Sequence, residues 1–542
     1  MFRSRIQDGI ATALFGILIL SMVPAIIAVG SSTATQPAFA QNATTASNAT
    51  TTTTANMTDQ NATTTTTTAQ VDERGLPIEE GFSAGVLATN FSSPHNILYG
   101  PDGVLWITER VGEKITRVDP NTGEKISSMP IPGVYQTGGQ DGVMGMAFDP
   151  DFNSTNHIYV AYTYAEDAGG AEGGENQTEA LRTKITRFTY NPEGQSIGDP
   201  VDLITGLSGS NDHNAGRMTF GPDGKLYYTI GDQGNNQFGR YCMPIRSQLL
   251  PTQEQIDTQN WTDVYQGKVL RMNPDGSIPD DNPEIEGVKS HIFTYGHRNH
   301  QGIAVGPTGD LYIVEHGDKS DDEFNRLEPG GNYGWPNVAG YLDEKAYQYA
   351  NWSAAENCEE LEFNNIPPFP EGVPVMNESQ FNATNFVPPL ATFYTVENDY
   401  NFSEPAGCGY VCWPTVAPSS IRLYTSDAIP EWNGTFLMTT LKAGRIFHLT
   451  LDENGTALAG DPVEMFRSEN RYRDLAFSPD GTTIYVVTDS QGPVQAIEPA
   501  DEPVGNLTHP GSLLMFKYEG QTNNSSSSST MTNSSTGPPA GY

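Results

Sequence analysis

The sequence predicts an all-β fold, a six-bladed β-propeller with long inserted loops. Glycine (55 residues) and proline (38 residues) are abundant, short aromatic or β-branched segments recur, and helix-favouring runs are few. One unit, a Pro/Asp/Gly turn followed by an alternating strand, occurs six times in the body of the chain. Each unit reads as a hairpin that buries its faces against neighbouring copies, so six copies predict six blades.

The repeated units are unevenly spaced along the chain. They begin at Gly100, Asp149, Gly221, Gly306, Trp432 and Ser478. In the clearest copies a Gly-Pro-Asp-Gly turn leads into an apolar strand, as in Lys-Leu-Tyr-Tyr-Thr-Ile at residues 225–230. The uneven spacing requires inserted loops, and the two largest run from Gln237 to Gln266 and from Asp343 to Pro405.

The N-terminal segment, residues 1–40, reads as a signal peptide. Arg3 and Arg5 supply the positive start, residues 10–29 supply the apolar region, and Ala-Phe-Ala at 38–40 supplies a small-residue cleavage site. The apolar region is long for a signal peptide, so an uncleaved membrane anchor is the alternative. We expect cleavage after Ala40, and a protein that is secreted or held at the extracytoplasmic cell surface.

Two low-complexity segments flank the predicted propeller domain, residues 76–520. Residues 41–75 form a Thr/Asn-rich linker and residues 521–542 a Ser/Asn-rich tail, and neither has apolar periodicity with which to build a core. Both are expected to be disordered. Asn-x-Ser/Thr sequons occur in the linker and in the body, and in an exported glycoprotein these would be glycan sites, although chance also produces them in such a composition.

The charge balance excludes one class of partner. Acidic residues outnumber basic ones by 65 to 28, giving a formal net charge of −37. No basic surface for nucleic acid is expected from such a chain. With so few cations, a cluster of Arg or Lys beside polar loops becomes a candidate anion site.

Asp212 and His213 form a candidate acid/base pair. They lie in a polar loop just before an apolar strand, where a rigid sheet presents side chains for chemistry. The plain alternative is a histidine that is satisfied by a neighbouring backbone carbonyl.

The segment from Glu315 to Glu323 is dense in carboxylates and turn backbone, the mixture of oxygen ligands that hard cations need. It does not follow the helix–loop–helix calcium pattern, and an acidic surface turn is the alternative.

Farther along the chain, Lys442, Arg471 and Arg473 form a candidate anion site. Residues 471 and 473 alternate on a strand and therefore point to the same face. Their guanidiniums would repel each other unless they shared an anion, and pairing with acidic neighbours is the alternative.

From about residue 81 to residue 518 the chain resembles the soluble, calcium-dependent glucose dehydrogenases that use pyrroloquinoline quinone (PQQ), within the broader aldose sugar dehydrogenase family. The strings that carry the resemblance are Asp-His at 212–213, Tyr-Thr-Ile-Gly-Asp-Gln-Gly at 228–234, Gly-His-Arg-Asn at 296–299, Gly-Asn-Tyr-Gly-Trp-Pro-Asn-Val-Ala-Gly-Tyr at 331–341, Cys-Trp-Pro-Thr-Val-Ala-Pro-Ser-Ser at 412–420 and Asn-Arg-Tyr-Arg-Asp at 470–474.

The resemblance implies oxidation of the C1 hydroxyl of glucose or a related aldose to the lactone. His213 would take the hydroxyl proton, Asp212 would orient His213, and the hydride would pass to a quinone polarised by Arg298 and Ca²⁺. The implied cofactor-binding residues are Gln140, Arg298, Asn299, Lys442, Arg471 and Arg473. The implied substrate residues are Asp232, Tyr410 and Trp413.

The resemblance also implies two uses of calcium. The cofactor's Ca²⁺ would be held by backbone carbonyls of Gly317 and Asp318. Here Asp318 replaces the family's proline and His316 a glutamine, which puts local geometry and affinity in question. The further structural cluster implied is Asp322, Glu323, Tyr333, Ala339, Tyr341, Asp343 and Glu378.

Four cysteines in an exported chain indicate disulfides. The resemblance implies a local bridge between Cys408 and Cys412, around Tyr410. Cys242 and Cys358 lie in the two large insertions, and their pairing is left open.

Two other functions are compatible with parts of the sequence. A calcium-dependent propeller lactonase shares the architecture and the metal, and a non-catalytic surface glycoprotein would explain the tails. Neither needs the Lys442, Arg471 and Arg473 set. A nicotinamide cofactor is not expected, because no glycine-rich dinucleotide motif follows a strand. The resemblance further implies a homodimer, and the electron acceptor is left unidentified.

Overall fold

A computed structural model describes residues 70–166, 181–403, 408–496 and 503–520. The predicted signal peptide, all of the linker before residue 70, and the C-terminal tail lie outside these described residues. Within the described ranges, no helix combines the length and the apolar character needed to cross a membrane.

Six four-stranded antiparallel sheets form the blades, which confirms the predicted six-bladed propeller. Numbered in chain order, blade 1 is Pro94–Tyr99, Leu105–Glu109, Lys114–Val118 and Lys125–Pro130; blade 2 is Val143–Phe148, His157–Ala165, Leu181–Asn191 and Ser196–Ser208; blade 3 is Ala215–Phe220, Leu226–Ile230, Lys268–Met272 and Ile292–Tyr295. Blade 4 is Asn299–Val305, Leu311–His316, Asp322–Arg326 and Ala391–Phe393; blade 5 is Pro418–Tyr424, Thr435–Thr440, Ile446–Leu449 and Val463–Met465; blade 6 is Tyr472–Phe477, Thr483–Thr488, Leu513–Tyr518 and Phe82–Ala88.

The first strands of the six blades pack against one another in a closed ring around the axis. The ring is closed by the chain's two ends, because the N-terminal strand Phe82–Ala88 pairs with Leu513–Tyr518 as the outer strand of blade 6. The hydrophobic core lies between successive blades, and each neighbouring pair shares one cluster of buried side chains. Each blade is therefore stabilised by its two neighbours rather than by a core of its own.

The predicted turns are the hairpins between the first and second strands of the blades. In two of these turns the aspartate accepts a hydrogen bond from an aromatic side chain on the following strand: Trp106 Nε1 donates to Asp102 Oδ1 at 3.0 Å, and the Tyr227 hydroxyl donates to Asp223 Oδ2 at 2.8 Å. In these two copies the turn aspartate and the aromatic residue four positions later form one local unit.

A buried ion pair spans the first strands near the axis. Arg217 in blade 3 and Asp474 in blade 6 are both fully buried, with Arg217 Nη1 2.7 Å from Asp474 Oδ2. Asp474 also accepts from Asn96 in blade 1 at 2.6 Å and from Arg422 in blade 5 at 3.0 Å. One carboxylate therefore ties four blades together.

The two large insertions lie on blades 3 and 4. The first separates the second and third strands of blade 3. The second begins between the third and fourth strands of blade 4 and includes the fourth strand, Ala391–Phe393. The short elements are the strands Gln70–Val71, Pro77–Ile78, Glu284–Ile285, Val288–Lys289, Tyr349–Ala350 and Val375–Met376, the helices Phe152–Thr155 and Gln253–Asp257, and the 3-10 turns Phe238–Arg240, Trp352–Ala354, Cys358–Glu360, Glu378–Gln380, Gly409–Val411 and Pro430–Trp432.

Two disulfides are present. Cys242 and Cys358 pair across 116 residues and join the two insertions, which decides the pairing left open above. Around that bridge the rings of Tyr241, Trp352 and Phe363 pack with centroids 5.2 to 5.6 Å apart. Cys408 pairs with Cys412, as the resemblance implied.

Candidate active site

One face of the propeller collects the predicted site residues. In each blade the first strand leaves this face and the second returns to it, so the loop before the first strand and the loop after the second meet there. His213 and Arg298 precede the first strands of blades 3 and 4, whereas Asp232 and Lys442 follow the second strands of blades 3 and 5. Residues distant in sequence therefore converge on one surface.

His213 is held by Asp232. His213 Nδ1 lies 2.8 Å from Asp232 Oδ1, and both side chains are buried. Asp232 also accepts from Trp335 Nε1 at 2.9 Å and from the Gly234 backbone at 3.0 Å. With three donors around it, Asp232 is fixed as an acceptor for Nδ1–H, which leaves Nε2 with its lone pair.

The structure gives Asp212 a different position from the orienting one expected. Asp212 Oδ1 accepts the backbone N–H of His213 at 3.0 Å and lies 3.9 Å from His213 Nε2, on the side opposite the Asp232 contact. His213 has a positive φ of 46°, and the Asp212 carboxylate folds back onto its backbone. The contact to Nδ1 of His213 therefore belongs to Asp232, which the resemblance had implied as a substrate residue, and Asp212 lies on the Nε2 side of the ring.

Gln237, which was not predicted, connects the side chains of His213, Asp212 and Arg298. Its amide nitrogen lies 3.2 Å from His213 Nε2 and 3.0 Å from Asp212 Oδ2, and its carbonyl accepts from Arg298 Nη2 at 2.9 Å. Arg298 in turn packs over the ring of Trp335, 5.3 Å from its centroid. The base and the guanidinium therefore lie on opposite sides of one amide.

Behind Arg298 lies a buried carboxylate that was likewise not predicted as a site residue. Glu315 accepts from the Arg298 backbone N–H and, through Oε2, lies 2.9 Å from His297 Nδ1. Burial raises the pKa of Glu315 to about 8. This pair fixes the backbone from which Arg298 extends.

Three guanidiniums surround a single carboxylate on the same face. Asp489 Oδ2 lies 2.6 Å from Arg473 Nη2 and 3.6 Å from Arg471 Nε, and Asp489 Oδ1 lies 3.6 Å from Arg110 Nη2. Burial alone would raise the pKa of Asp489, but the arginines, Arg473 first, hold it below its usual value. We call Arg110, Arg471, Arg473 and Lys442 the cationic cradle; Arg110 was not predicted.

The cradle connects to the catalytic pair through two amides. Arg473 Nη1 donates to Gln301 Oε1 at 2.6 Å, Gln301 donates to Gln140 Oε1 at 3.3 Å, and Gln140 donates to Asp212. Asn299 is fully buried beside this line, and both of its amide atoms lack a partner among the described residues. The face therefore has more polar groups than the described protein satisfies.

Lys442 lies at the blade 5 edge of the face. Its ammonium donates to the carbonyl of Tyr410 at 3.1 Å, inside the loop closed by the Cys408–Cys412 bridge, and to the carbonyl of Trp413 at 2.9 Å, just after it. Burial lowers the pKa of Lys442 to about 7, against an opposing attraction from Asp322. The Tyr410 side chain is half exposed and stands at the rim, while Trp413 Nε1 donates to Phe402.

The acidic segment divides into two parts. At Gly317 and Asp318, the predicted cofactor calcium position, Asp322 accepts the Gly317 N–H at 2.8 Å, and the Asp318 carboxylate pairs with Lys319 and lies 3.9 Å from Arg298 Nη2. A Cβ on Gly317 would come within 2.0 Å of the Ser320 carbonyl oxygen, so this tight turn requires glycine. Asp318 thus adds a carboxylate beside the Arg298 guanidinium.

The second part is a group of buried carboxylates around residues 339–344. Glu323 accepts the Gly340 N–H at 2.7 Å, and Glu378 accepts the N–H groups of Ala339 at 3.2 Å and Asp343 at 3.3 Å. Burial raises the pKa of Glu378 to about 7, and burial with like charge raises that of Glu323 well above its usual value.

Asp321 lies in the acidic segment proposed from the sequence, although the resemblance did not imply it as a ligand, and burial raises its pKa to about 6. Tyr341, which the resemblance did imply, is close enough that Glu323 and Asp321 add to the rise in its pKa, after burial. Tyr333, by contrast, stacks its ring on His297 with centroids 4.5 Å apart.

The six-bladed propeller thus carries, on one face, a buried histidine–carboxylate pair and a cationic cradle. A family model described as Glucose / Sorbosone dehydrogenase matches residues 91–366 and 395–495. The chain belongs to this family, and it is therefore an oxidoreductase rather than a lactonase or a non-catalytic glycoprotein.

Individual relatives agree with the family assignment. Quinoprotein glucose dehydrogenase B of Acinetobacter calcoaceticus is 46% identical over 449 residues, which is 81% of this chain and 92% of that protein. An aldose sugar dehydrogenase of Escherichia coli is 27% identical over 422 residues, 76% of this chain and 92% of that protein. The PQQ-bound aldose sugar dehydrogenase of Streptomyces coelicolor superposes with a TM-score of 0.52 at 26% identity, covering 81% of this chain and 99% of that structure.

Proposed function

We propose that the protein is a PQQ-dependent dehydrogenase that oxidises the C1 hydroxyl of glucose or a related aldose to the lactone. The observation that carries this proposal is the His213–Asp232 pair, whose Nε2 lies 3.2 Å from the amide of Gln237, which Arg298 also contacts, on the same face as the cationic cradle. The similarity to a quinoprotein glucose dehydrogenase at 46% identity supports the cofactor and the substrate class.

The donor set of the face fits a polycarboxylate cofactor such as PQQ. The Nε atoms of Arg110, Arg471 and Arg473 and the Asn299 amide are buried without a partner among the described residues. Asp489 faces all three cations and Asp141 also attracts Arg110, so two carboxylates face three guanidiniums and a net positive charge remains for an anion. Lys442, Arg471, Arg473, Gln140 and Asn299 would hold the cofactor, and PQQ when bound would supply the two-electron acceptor for the hydride from C1.

The chain's own residues then handle the proton. His213 Nε2 accepts the proton of the C1 hydroxyl, while Asp232 keeps the other nitrogen protonated and stabilises the imidazolium that forms. Asp212 and Gln237 flank Nε2 and offer hydrogen bonds to the sugar hydroxyls. Trp335 covers Asp232 and excludes water from the ion pair.

We further propose that Ca²⁺ binds at two places on this face. The carbonyls of Gly317 and Asp318 would hold the cofactor's ion, and the group of Asp322, Glu323, Asp343 and Glu378 would hold a structural ion. Burial raises the pKa values of Asp322, Glu323 and Glu378, and this supports the proposal because a divalent cation would stabilise the charged form of buried carboxylates. Export, dimerisation and transfer of electrons to an external acceptor complete the proposal, on the grounds of the N-terminal segment and the family resemblance.

Reconstitution tests the proposed function. Purified without cofactor, the protein should be inactive, and PQQ with Ca²⁺ should restore glucose oxidation to a dye acceptor. His213→Gln should bind PQQ with nearly unchanged affinity but lose about two to four orders of magnitude in turnover, because it removes a positioned base. His157→Gln, in the second strand of blade 2, is the matched control and should behave as wild type. Activity with NAD instead of PQQ, or a fully active His213→Gln, would show the assignment to be wrong.

A further inference from the structure

The asparagines of the described residues separate into two groups by burial. Ten of them begin an Asn-x-Ser/Thr sequon, and nine of these ten are exposed: Asn90, Asn153, Asn260, Asn377, Asn382, Asn401, Asn433, Asn454 and Asn506. The eight buried asparagines, among them Asn96, Asn299 and Asn470, carry no such motif. Chance spacing gives no reason for this separation, and nothing in the reaction described above uses the exposed sequons.

The tenth sequon, at Asn351, has the same motif without the same access. Asn351 is half-buried, and its side-chain carbonyl accepts the Ser353 hydroxyl at 2.9 Å. The residue between them, Trp352, is fully buried among the aromatic rings around the Cys242–Cys358 bridge. A bulky group on Asn351 would have to displace this packing, so the position serves as an internal control.

Two exposed sequons of the second insertion have a free attachment atom. Asn382 has no side-chain hydrogen bond among the described residues. Asn401 accepts the Ser403 N–H at 3.1 Å through its carbonyl oxygen, and its Nδ2 has no acceptor among those residues. A substituent on either Nδ2 therefore breaks no hydrogen bond of the described fold.

The same insertion is the part of the propeller most open to proteases. Between residues 343 and 390 its regular structure is limited to two strands of two residues and three 3-10 turns. Exposed irregular loops are the preferred sites of proteolytic nicking. Asn382 follows the half-buried Phe381 and Asn401 follows the exposed Tyr400, so each sequon lies directly after a bond that an aromatic-specific protease cleaves.

We propose that the exposed sequons are N-glycosylated, and that the glycans on Asn382 and Asn401 shield the second insertion from proteolysis. The asparagine Nδ2 forms a bond to C1 of the first sugar, and the bond from that C1 to the phosphate of a lipid-linked oligosaccharide breaks. The leaving lipid phosphate takes the proton that Nδ2 loses. The inference rests on the proposed export, because the chain must reach the compartment in which such donors are used.

Peptide mass spectrometry of the protein purified from the organism that produces it is the direct test. Peptides that contain Asn382 or Asn401 should carry a glycan mass, and the peptide that contains Asn351 should not. Unmodified peptides at all exposed sequons, or a glycan on Asn351 alone, would overturn the inference. The PQQ-supported rate of the same sample tests the proposed function separately, so an active but unmodified enzyme would refute glycosylation alone.

Matched variants made in the same organism test the shielding. Thr384→Ala/Ser403→Ala removes both motifs and leaves the two asparagines in place, whereas Thr384→Ser/Ser403→Thr keeps both motifs. Chymotrypsin should cleave the first variant after Phe381 and Tyr400 about tenfold or more faster than the second. Both variants should retain the wild-type PQQ-supported rate. Equal cleavage of the two variants would overturn the shielding.

Discussion

At the residue scale, the neighbours of each imidazole nitrogen decide whether His213 can take a proton. Asp232 receives Nδ1–H at 2.8 Å and is itself fixed by Trp335 and Gly234. Asp212 lies 3.9 Å from Nε2 and bonds to the His213 backbone instead. The two carboxylates therefore have different tasks although both flank the same ring.

We expect the variants Asp232→Asn and Asp212→Asn to have different effects on turnover, because the two carboxylates contact different parts of His213. In Asp232→Asn, the new amide can donate to Nδ1 of His213, which places the ring proton on Nε2, so that Nε2 can no longer accept a proton. Turnover should therefore fall by about two to four orders of magnitude. Asp212→Asn keeps the tautomer and should cost about tenfold or less, mainly in KM. Dye-coupled rates at saturating PQQ measure both. A larger loss for Asp212→Asn would return the orienting role to Asp212.

Some of these residues were predictable from sequence and others were not, for a physical reason. The turn aspartates and their aromatic partners lie four positions apart, so local sequence carries the whole unit. Asp232 and Asp212 both flank His213 in the fold, but sequence does not say toward which nitrogen a carboxylate turns. Arg110 and Asp489 could have been predicted from their position in the repeat, because each follows the second strand of its blade, as Asp232 and Lys442 do.

At the scale of elements, the Cys242–Cys358 bridge ties the two insertions together across 116 residues. Removing it with Cys242→Ser/Cys358→Ser should lower the free energy of unfolding by about 2–5 kcal/mol, because a long loop regains its freedom in the unfolded chain. Denaturant titration measures this. Cys408→Ser/Cys412→Ser, which releases a span of four residues, should cost less stability while disturbing Tyr410. The reverse order of stability losses would contradict this account.

The acidic loop element should make stability depend on calcium and pH together. Asp321 has a pKa of about 6 and Glu378 of about 7, both raised above their unfolded values of about 4. Their contribution to the free energy of unfolding is thus fully present below pH 4, and it is lost as pH rises through 6 to 7. Calcium should offset that loss, so its stabilising effect, about 3 kcal/mol at a hundredfold excess over Kd, should grow from pH 5 to pH 8.

Thermal unfolding with Ca²⁺ and with EGTA, at both pH values, measures this coupling. Glu378→Gln should reduce the calcium-dependent gain in stability, whereas Glu371→Gln, at an exposed position in the same insertion, should not. A calcium effect that is the same at pH 5 and pH 8 would exclude these carboxylates as the cause.

At the scale of the whole molecule, the sequence predicted the number of blades but not how the ring closes. The six turns could be predicted because each is formed by residues adjacent in sequence. The pairing of Phe82–Ala88 with Leu513–Tyr518 joins segments at opposite ends of the domain, and neither strand has a sequence pattern that identifies the other as its partner. The convergence of site residues on one face follows from the same long-range geometry.

Truncation tests how much of the chain the propeller needs. A protein limited to residues 70–520 should fold and turn over as the full chain does, because it keeps all six sheets. A version starting at Asn90 lacks the strand Phe82–Ala88 and should lose the cooperative unfolding transition, since Leu513–Tyr518 then becomes an unpaired edge. Calorimetry compares the two. Loss of folding in the 70–520 protein would show that the removed ends contribute to the domain.

The shared sheet of blade 6 also dictates when this protein can finish folding. Ser83 and Glu519, which hydrogen-bond across that sheet, are 436 positions apart. A growing chain therefore contains the strand Phe82–Ala88 long before its partner Leu513–Tyr518 has been synthesised. Until then the blades already synthesised form an incomplete ring with unpaired strand edges. Such a partly folded chain is prone to pair with other chains. Closure of the propeller ring is therefore a single late step in folding, and its rate depends on how quickly the two ends of the domain meet.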